Sequence, residues 1–456
     1  MNTILLEPSD VLFFRDGRPM SGSLAGHGAA WPLPNVTNAA LHAALHRAGL
    51  AGESHTHRLA RSRQVKSNDR EQHGRKFGSL VTAGPFPVCI NGSAHTWFFP
   101  HPADADDSVA VYFPLNDSLG YSSLPQPLKY PVANSRKASK ESPKNWWNAA
   151  SWSCYLEGAA QDPITKNDRD FADIEHNYGI GIDPETGSVE AAKFYSAHSL
   201  RLKPGINLGV LAEGNDKGIG NEDIIHRLFD SDHHIIVGGQ QRTCSVSMNK
   251  SPQKLPLPMG RNSGFEKTDD KYLVKWVLLT PAIWPDIQGA KGINPHTGGW
   301  LPNWIAQSLV HFEGEDVAAG SVLLLDGPGK EKAKRKKLSS GKRIGAKLVA
   351  AIVGKPIPVT GYALANEADP ERVTGGAKST HLAVPAGAVY YFEADPDTQG
   401  GPGNAIALAN ALNWHGSSDG GKIMNRRSTL MGEKGFGLGV CGKWKFHNGN
   451  VPGHPV

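Results

Sequence analysis

Apolar and polar positions change period several times along the chain. From Thr3 to Phe14 apolar residues are dense and interrupted only by Pro8, a strand-like run that leads into a turn at Asp16-Gly17. A small, glycine-rich stretch from Ser21 to Gly28 reads as a loop. Val36, Ala40, Leu41, Ala44, Leu45 and Ala48 then fall on one face at helical spacing. Asn35 or Thr37 supplies an N-cap for this helix and Gly49 ends it. Strand patterns follow at Leu80 to Ile90, Thr96 to Pro100, Ser199 to Val210, His233 to Val237, Cys244 to Met248 and Leu273 to Thr280. Residues 103–175 have no sustained period and read as an insertion with short helices around Trp146, Trp147 and Trp152. In the last third, strands are predicted at Ser321 to Leu325, Leu348 to Val353 and Val389 to Glu393. A helix from Asn404 to Trp414, a glycine-rich loop and a strand with Val440, Trp444 and Phe446 on one face close the chain.

Helix, loop and final strand make the closing half of a βαββαβ unit, and the opening strand, loop and helix make a beginning. The expected fold is α+β, with two ferredoxin-like (RRM-like) βαββαβ domains and long insertions. Domain limits are placed at 1–215, carrying the insertion near 103–175, and at 216–456, ending in the glycine-rich loop.

Composition sharpens this picture modestly. With 456 residues, 39% apolar and 20% charged, the chain can bury a sizeable core in two or three domains. The 52 glycines and 32 prolines favour many turns over long helices. Cys89, Cys154, Cys244 and Cys441 show no C-x-x-C spacing and read as reduced thiols, not a zinc or redox site. Glu7 and Asp10 within the first apolar run exclude a secretory leader, and no run of 18 apolar residues occurs. A cytoplasmic protein away from membranes is expected.

Net charge is only +5, but its distribution is uneven. Arg15 and Arg18 flank the Asp16-Gly17 turn, either as a structural lock or as guanidinium forks for phosphate. Between His57 and Lys76, seven basic residues (Arg58, Arg61, Arg63 and Lys66 among them) face two acidic ones, as a solvated loop or a phosphate track. Residues 330–347 hold nine basic residues and one acid, a run that repels itself unless it meets a polyanion. Gly327-Pro328-Gly329-Lys330 lacks the spacing and hydroxyl of a P-loop, which argues against an ATPase. Lys434, Gly435, Phe436, Gly437 and Gly439 form the glycine-rich loop. Its glycines would let the backbone approach a phosphate, with Phe436 and Leu438 as core anchors in the structural alternative. The histidine pairs His55/His57 and His233/His234 stand in no catalytic frame, and no metal, cofactor or nucleophile constellation is found.

Several segments, taken in order, resemble one family. They are Leu6-Glu7-Pro8 with Phe14 to Pro19, Gly179 to Asp183 with Thr186-Gly187, Phe194-Tyr195, and Leu200-Arg201-Leu202. Gly238-Gly239-Gln240-Gln241-Arg242, Leu279 to Ala282, Val384 to Tyr391 and Gly435 to Gly439 continue the series. Together they resemble the Cas-five-like subunit of type III-B CRISPR (Cmr) effector complexes, third of the Cmr series, in the RAMP superfamily. Met20 and Gln240 depart from the family pattern, and the segments 103–175 and 330–347 match nothing in it. The resemblance implies a non-catalytic, RNA-binding role without a cofactor, in which the protein grips the repeat-derived 5′ tag of CRISPR RNA. It also implies a seat beside the large Cas-ten-type subunit and a Cas-seven-type backbone subunit, with target RNA met indirectly. Arg201 and Arg242, on matching segments, join the RNA-binding candidates. The competing expectation is a RAMP-superfamily endoribonuclease that processes CRISPR RNA precursors with His27 or His42 as its acid or base.

Overall fold

A computed structural model describes residues 1–14, 24–26, 31–50, 80–106, 109–116, 123–136, 145–158, 164–214, 223–231, 233–289, 294–312, 314–325, 341–363, 376–377 and 379–447. The fold is mixed α+β, with large antiparallel sheets and few helices. In chain order the elements used below begin with β1 (Asn2–Pro8), β2 (Leu24–Gly26), α1 (Pro34–Arg47), β3 (Val81–Asn91), β4 (Ala94–Pro100), β5 (Trp146–Asn148), α2 (Ala149–Glu157), β6 (Thr165–Lys166) and α3 (Asp168–Phe171). They continue with β7 (Ala172–Ile182), β8 (Val189–Leu202), β9 (Ile206–Glu213), α4 (Ile224–Ser231), β10 (His234–Ile236), β11 (Thr243–Asn249) and β12 (Lys271–Leu278). Last come β13 (Ser321–Leu325), β14 (Gly341–Ile352), β15 (Val389–Ala394), α5 (Gly403–Leu412) and β16 (Gly439–Lys443). No helix among the described residues is long and apolar enough to cross a membrane.

The chain folds into two units, each built from separated segments. The first takes residues 1–96, 168–252 and 357–382. Its main strands run antiparallel in the order β10-β11-β1-β9-β3. β9 lies inside this order, and Leu208, Val210 and Ala212 on one face and Leu211 on the other are all buried, which explains its nearly continuous apolar sequence. Leu41 and Leu45 of α1 and Ile225 and Leu228 of α4 pack with Ile4, Leu6 and Val210 in one core. A second sheet of this unit has the order β2-β8-β7.

Two strand expectations change here. The run Thr3 to Phe14 pairs only as far as Pro8, although Leu12 still exchanges two backbone hydrogen bonds with Leu200. Ser199 to Val210 is not one strand. It divides between β8 and β9 at Lys203-Pro204-Gly205, where proline offers no N–H and the Ile206 N–H bonds back to the Lys203 carbonyl.

The second unit takes residues 97–167, 253–356 and 383–456. Five strands of its six-stranded sheet run β16-β12-β15-β14-β13. α5 covers this sheet, burying Ala405, Leu408 and Leu412 with Trp276 and Tyr390. The aperiodic segment before residue 167 supplies β5 and β6, which extend antiparallel from β4 with Phe98 opposite Asn148 and Trp147 opposite Thr165, and α2, whose N-terminus is capped where the Asn148 Oδ1 accepts the Ser151 N–H at 2.8 Å.

This segment also delivers Asp104 into the core. Asp104 and Lys275, of β12, have side chains 1% and 3% exposed and pair at 3.1 Å. The Tyr391 hydroxyl donates to Asp104 Oδ2 at 3.1 Å, and the Tyr155 hydroxyl donates to Oδ1. The Lys275 ammonium lies 3.6 Å from the centre of the Tyr155 ring. Burial pushes both tyrosines well above their usual value, and the Asp104 charge adds to this. Burial pulls Lys275 down, while Asp104 opposes that shift.

A buried histidine is expected to make the stability of the second unit depend on pH. The His296 Nε2–H donates to the Ile305 carbonyl at 3.0 Å, and Nδ1 accepts the Gly298 N–H at 2.8 Å, which defines the neutral ring. Burial lowers its pKa to about 4, with the Ile305 carbonyl opposing. The unfolded chain, with an ordinary histidine near 6.5, binds the proton more readily between these values, so stability falls as pH drops through that window. The expected loss between pH 7 and pH 4 is about 3 kcal/mol from this residue, at 1.36 kcal/mol per unit. Urea melts of the native chain and of His296→Gln across this range test it, and an equal pH slope in both proteins would refute the assignment.

Candidate nucleic-acid interface

Of the basic residues singled out in the sequence, Arg15, Arg18, Arg58, Arg61, Arg63 and Lys66 lie outside the described residues, as do His27 and the run 326–340. His42 lies on α1.

Arg201 and Arg242 come together. Arg201, near the end of β8, places Nη2 3.0 Å from Asp10 Oδ1, and Arg242 places Nη1 3.3 Å from Asp10 Oδ2. Two guanidinium groups from distant segments thus share one carboxylate, which is 52% exposed. Arg201 also pairs with Glu175 across the β7–β8 ladder, and this pairing raises its pKa. The backbone explains the convergence. Leu12 bridges Leu200 on one side, while the Gly239 N–H donates to the Phe13 carbonyl at 2.8 Å on the other. Gln240 and Gln241 both adopt left-handed conformations, φ 57° and 51°, in the turn joining β10 to β11. Paired positive φ values give the hairpin turn that matches strand twist, and here they carry Arg242 back toward Asp10. The Arg242 Nε–H is shielded from solvent and has no hydrogen-bond partner among the described residues.

Thus the segments around Leu6 to Phe14, Leu200 to Leu202 and Gly238 to Arg242 meet at one place in the first unit. Sequence reading singled out the arginines but not Asp10 and Glu175 as their partners. A carboxylate 191 or 232 positions away leaves no periodic signal.

The glycine-rich loop behaves differently from the expectation of free backbone donors. Gly432–Lys434 is a short 3-10 turn, and Phe436 and Leu438 are fully buried. The N–H groups of Gly435, Phe436 and Gly437 donate to the carbonyls of Gly432, Met431 and Pro281, and that of Leu438 donates to the Thr280 hydroxyl. Gly439 enters β16, opposite Leu278. A Cβ on Gly437 would stand 2.0 Å from the Ser428 nitrogen, and one on Gly439 2.2 Å from the Trp276 Nε1. The room these glycines leave is therefore taken by the chain itself, and the consecutive N–H groups from Lys434 to Leu438 are all engaged within it. Lys434 stays partly exposed at the edge of the loop.

The family model described as CRISPR-associated protein (Cas_Cmr3) matches residues 4–444. The chain is a CRISPR-associated protein. It belongs to the Cas_Cmr3 family, in agreement with the resemblance carried by its motifs. No curated relative matches the sequence. Among solved structures, a chain of type III-B Cmr-beta bound to cognate target RNA and AMPPnP is 11% identical, over 85% of this chain and 86% of that one, with a TM-score of 0.38. A chain of the Csm3–Csm4 subcomplex of a type III-A interference complex is 10% identical over 87% and 94%, with a TM-score of 0.33. A chain of a Csm1–Csm4 cassette with pppApA is 12% identical over 63% and 80%, with a TM-score of 0.28.

Proposed function

We propose that this protein is a non-catalytic, RNA-binding subunit of a type III-B effector complex, built on two ferredoxin-like units and holding the 5′ tag of CRISPR RNA. In that reading it sits between a large Cas-ten-type subunit and a Cas-seven-type backbone subunit in the cytoplasm, with target RNA reached through them. The observation that carries the proposal is the convergence of Arg201 and Arg242 on Asp10. Their side chains are 47% and 32% exposed, and their guanidinium groups already grip the two oxygens of one anion. A phosphate presents the same pair of acceptors, and exposed ion pairs are weak enough to exchange. In the sequence Arg15 and Arg18 follow Asp10 by five and eight positions.

The test is assembly with the neighbouring subunits and CRISPR RNA. The Arg201→Ala/Arg242→Ala variant is expected to fold normally and to carry less RNA. The slope of log affinity against log salt should fall by about 0.7 for each phosphate no longer neutralised. An unchanged slope and full RNA content would reject these arginines as the grip. Purified native protein is expected to leave precursor and target RNA intact with and without Mg²⁺, and specific cleavage abolished by His42 substitution would favour the endoribonuclease reading.

A further inference from the structure

The charges around Asp10 are already balanced. Arg201 reaches Asp10 through Nη2 at 3.0 Å and Glu175 through Nε. Arg242 reaches Asp10 through Nη1 at 3.3 Å, and its Nη2 donates to the Gln240 amide oxygen at 3.3 Å. The neighbouring Lys203 pairs with Asp173 at 3.8 Å. Three bases thus meet three acids, and a neutral cluster exerts little long-range pull on a polyanion. To take the place between the two guanidinium groups, an incoming phosphate has to displace the Asp10 carboxylate. That carboxylate is placed for exchange and not for shaping the chain. Asp397 accepts the backbone N–H groups of Gln399, Gly401 and Gly403, and Asp223 accepts those of Gly214 and Ile225. The Asp10 oxygens instead meet the two guanidinium groups and no backbone N–H among the described residues. Arg242 is the looser of the two partners. With its Nε–H unmatched, it loses little by turning to an acceptor that fills more of its fork.

We propose that Asp10 is a built-in competitor for phosphate, a specificity-determining residue that reserves Arg201 and Arg242 for a polyanion anchored at further points. The proposal rests on the reading of these arginines as the RNA grip. Its physical basis is effective concentration. A carboxylate fixed in contact with the guanidinium groups competes as if present at a concentration on the order of millimolar or above. Free phosphate or a nucleotide below that level leaves the pair closed. An RNA chain held elsewhere by the protein brings its phosphates in at a comparable effective concentration and displaces the carboxylate. Until then Asp10 keeps two like charges from separate segments side by side, so the phosphate meets both guanidinium groups already converged.

The experiment measures binding of a fluorescently labelled single-stranded RNA of the 5′ tag to the full chain across a range of salt. Asp10→Asn keeps the shape of the side chain and removes its charge. It is expected to bind about tenfold more tightly, since two exposed pairs, each worth up to about fivefold, no longer have to be broken. The slope of log affinity against log salt should steepen by about 0.7, one further phosphate neutralised. Inorganic phosphate at about 10 mM, with chloride adjusted to equal ionic strength, is expected to release RNA from Asp10→Asn at least twofold more than from the native chain. In the Arg201→Ala/Arg242→Ala background the gain from Asp10→Asn should fall below about twofold. Glu175→Gln frees Arg201 from its other carboxylate and is expected to act in the same direction, a second route to the test if circular dichroism shows Asp10→Asn unfolded. An equal gain with and without the arginines would mean a general charge effect and overturn the competitor. A folded Asp10→Asn that binds no better than the native chain, while loss of the arginines weakens binding, also overturns it and leaves the arginine grip standing. No effect from removing the arginines would instead reject the reading on which the proposal rests.

Discussion

Asp104→Ala is expected to destabilise the second unit by about 3–5 kcal/mol, the cost of leaving one member of a buried ion pair without its partner. Lys275 would then hold a charge in a core where its side chain is 3% exposed, with the Tyr155 ring to offset it in part. The Tyr155 hydroxyl would lose its acceptor at the same time, and the Tyr391 hydroxyl would keep only the Tyr112 carbonyl at 3.5 Å. The deficit carries a sign in pH. Burial holds the Lys275 pKa below the unfolded value near 10.5, so the unfolded chain binds the proton more readily between the two. Stability of the variant therefore recovers as pH rises toward 10.5. Asp104→Asn/Lys275→Met removes both charges, keeps an amide oxygen for the tyrosines, and is expected to regain most of the loss. Urea unfolding followed by tryptophan fluorescence measures all three proteins. A change below about 1 kcal/mol in Asp104→Ala, the range of an exposed pair, would mean that water reaches this cluster.

That cluster shows where sequence reading stops. β12 reads Lys-Tyr-Leu-Val-Lys-Trp-Val-Leu, and its strand character was legible from the apolar run. Nothing in the run tells Lys275, which is buried, from Lys271, which is 40% exposed and pairs with Asp395. The difference lies in Asp104, 171 residues away in a segment with no periodic pattern. α1 and α5 were legible because their apolar residues repeat at the helical period, and observed limits fall within a few residues of those expected. The β7 alternation carries a subtler ambiguity. Alternating Ile174, Tyr178, Ile180 and Ile182 is the pattern of a half-buried strand, and only the coordinates show the apolar half facing outward. At the Asp10 junction the motifs named the arginines, but their meeting depends on two hairpins folding toward one strand end.

The glycine-rich loop gives the sharpest contrast between a pattern and its cause. Alternating glycines fit either a backbone opened to a phosphate or a backbone pressed against its own core, and these predict opposite behaviour for Gly437→Ala. Gly437 has φ 78°, a left-handed value that costs an L-residue about 1–2 kcal/mol. Its new methyl group would also meet the Ser428 nitrogen at 2.0 Å and Cβ at 2.6 Å. Ser428 cannot yield easily, because its hydroxyl accepts the Ile283 N–H at 2.8 Å and donates to the Leu430 carbonyl. Overpacking of this kind adds about 1–3 kcal/mol. Gly437→Ala is therefore expected to lower stability by about 3 kcal/mol and to loosen β16, whose first residue follows two positions later. Lys434→Ala, at the exposed edge, is the control and is expected to leave unfolding unchanged. Denaturation midpoints of the two variants, with RNA content of the assembled complex measured in parallel, separate the cases. A Gly437→Ala protein with native stability and no bound RNA would return the loop to a phosphate-binding role.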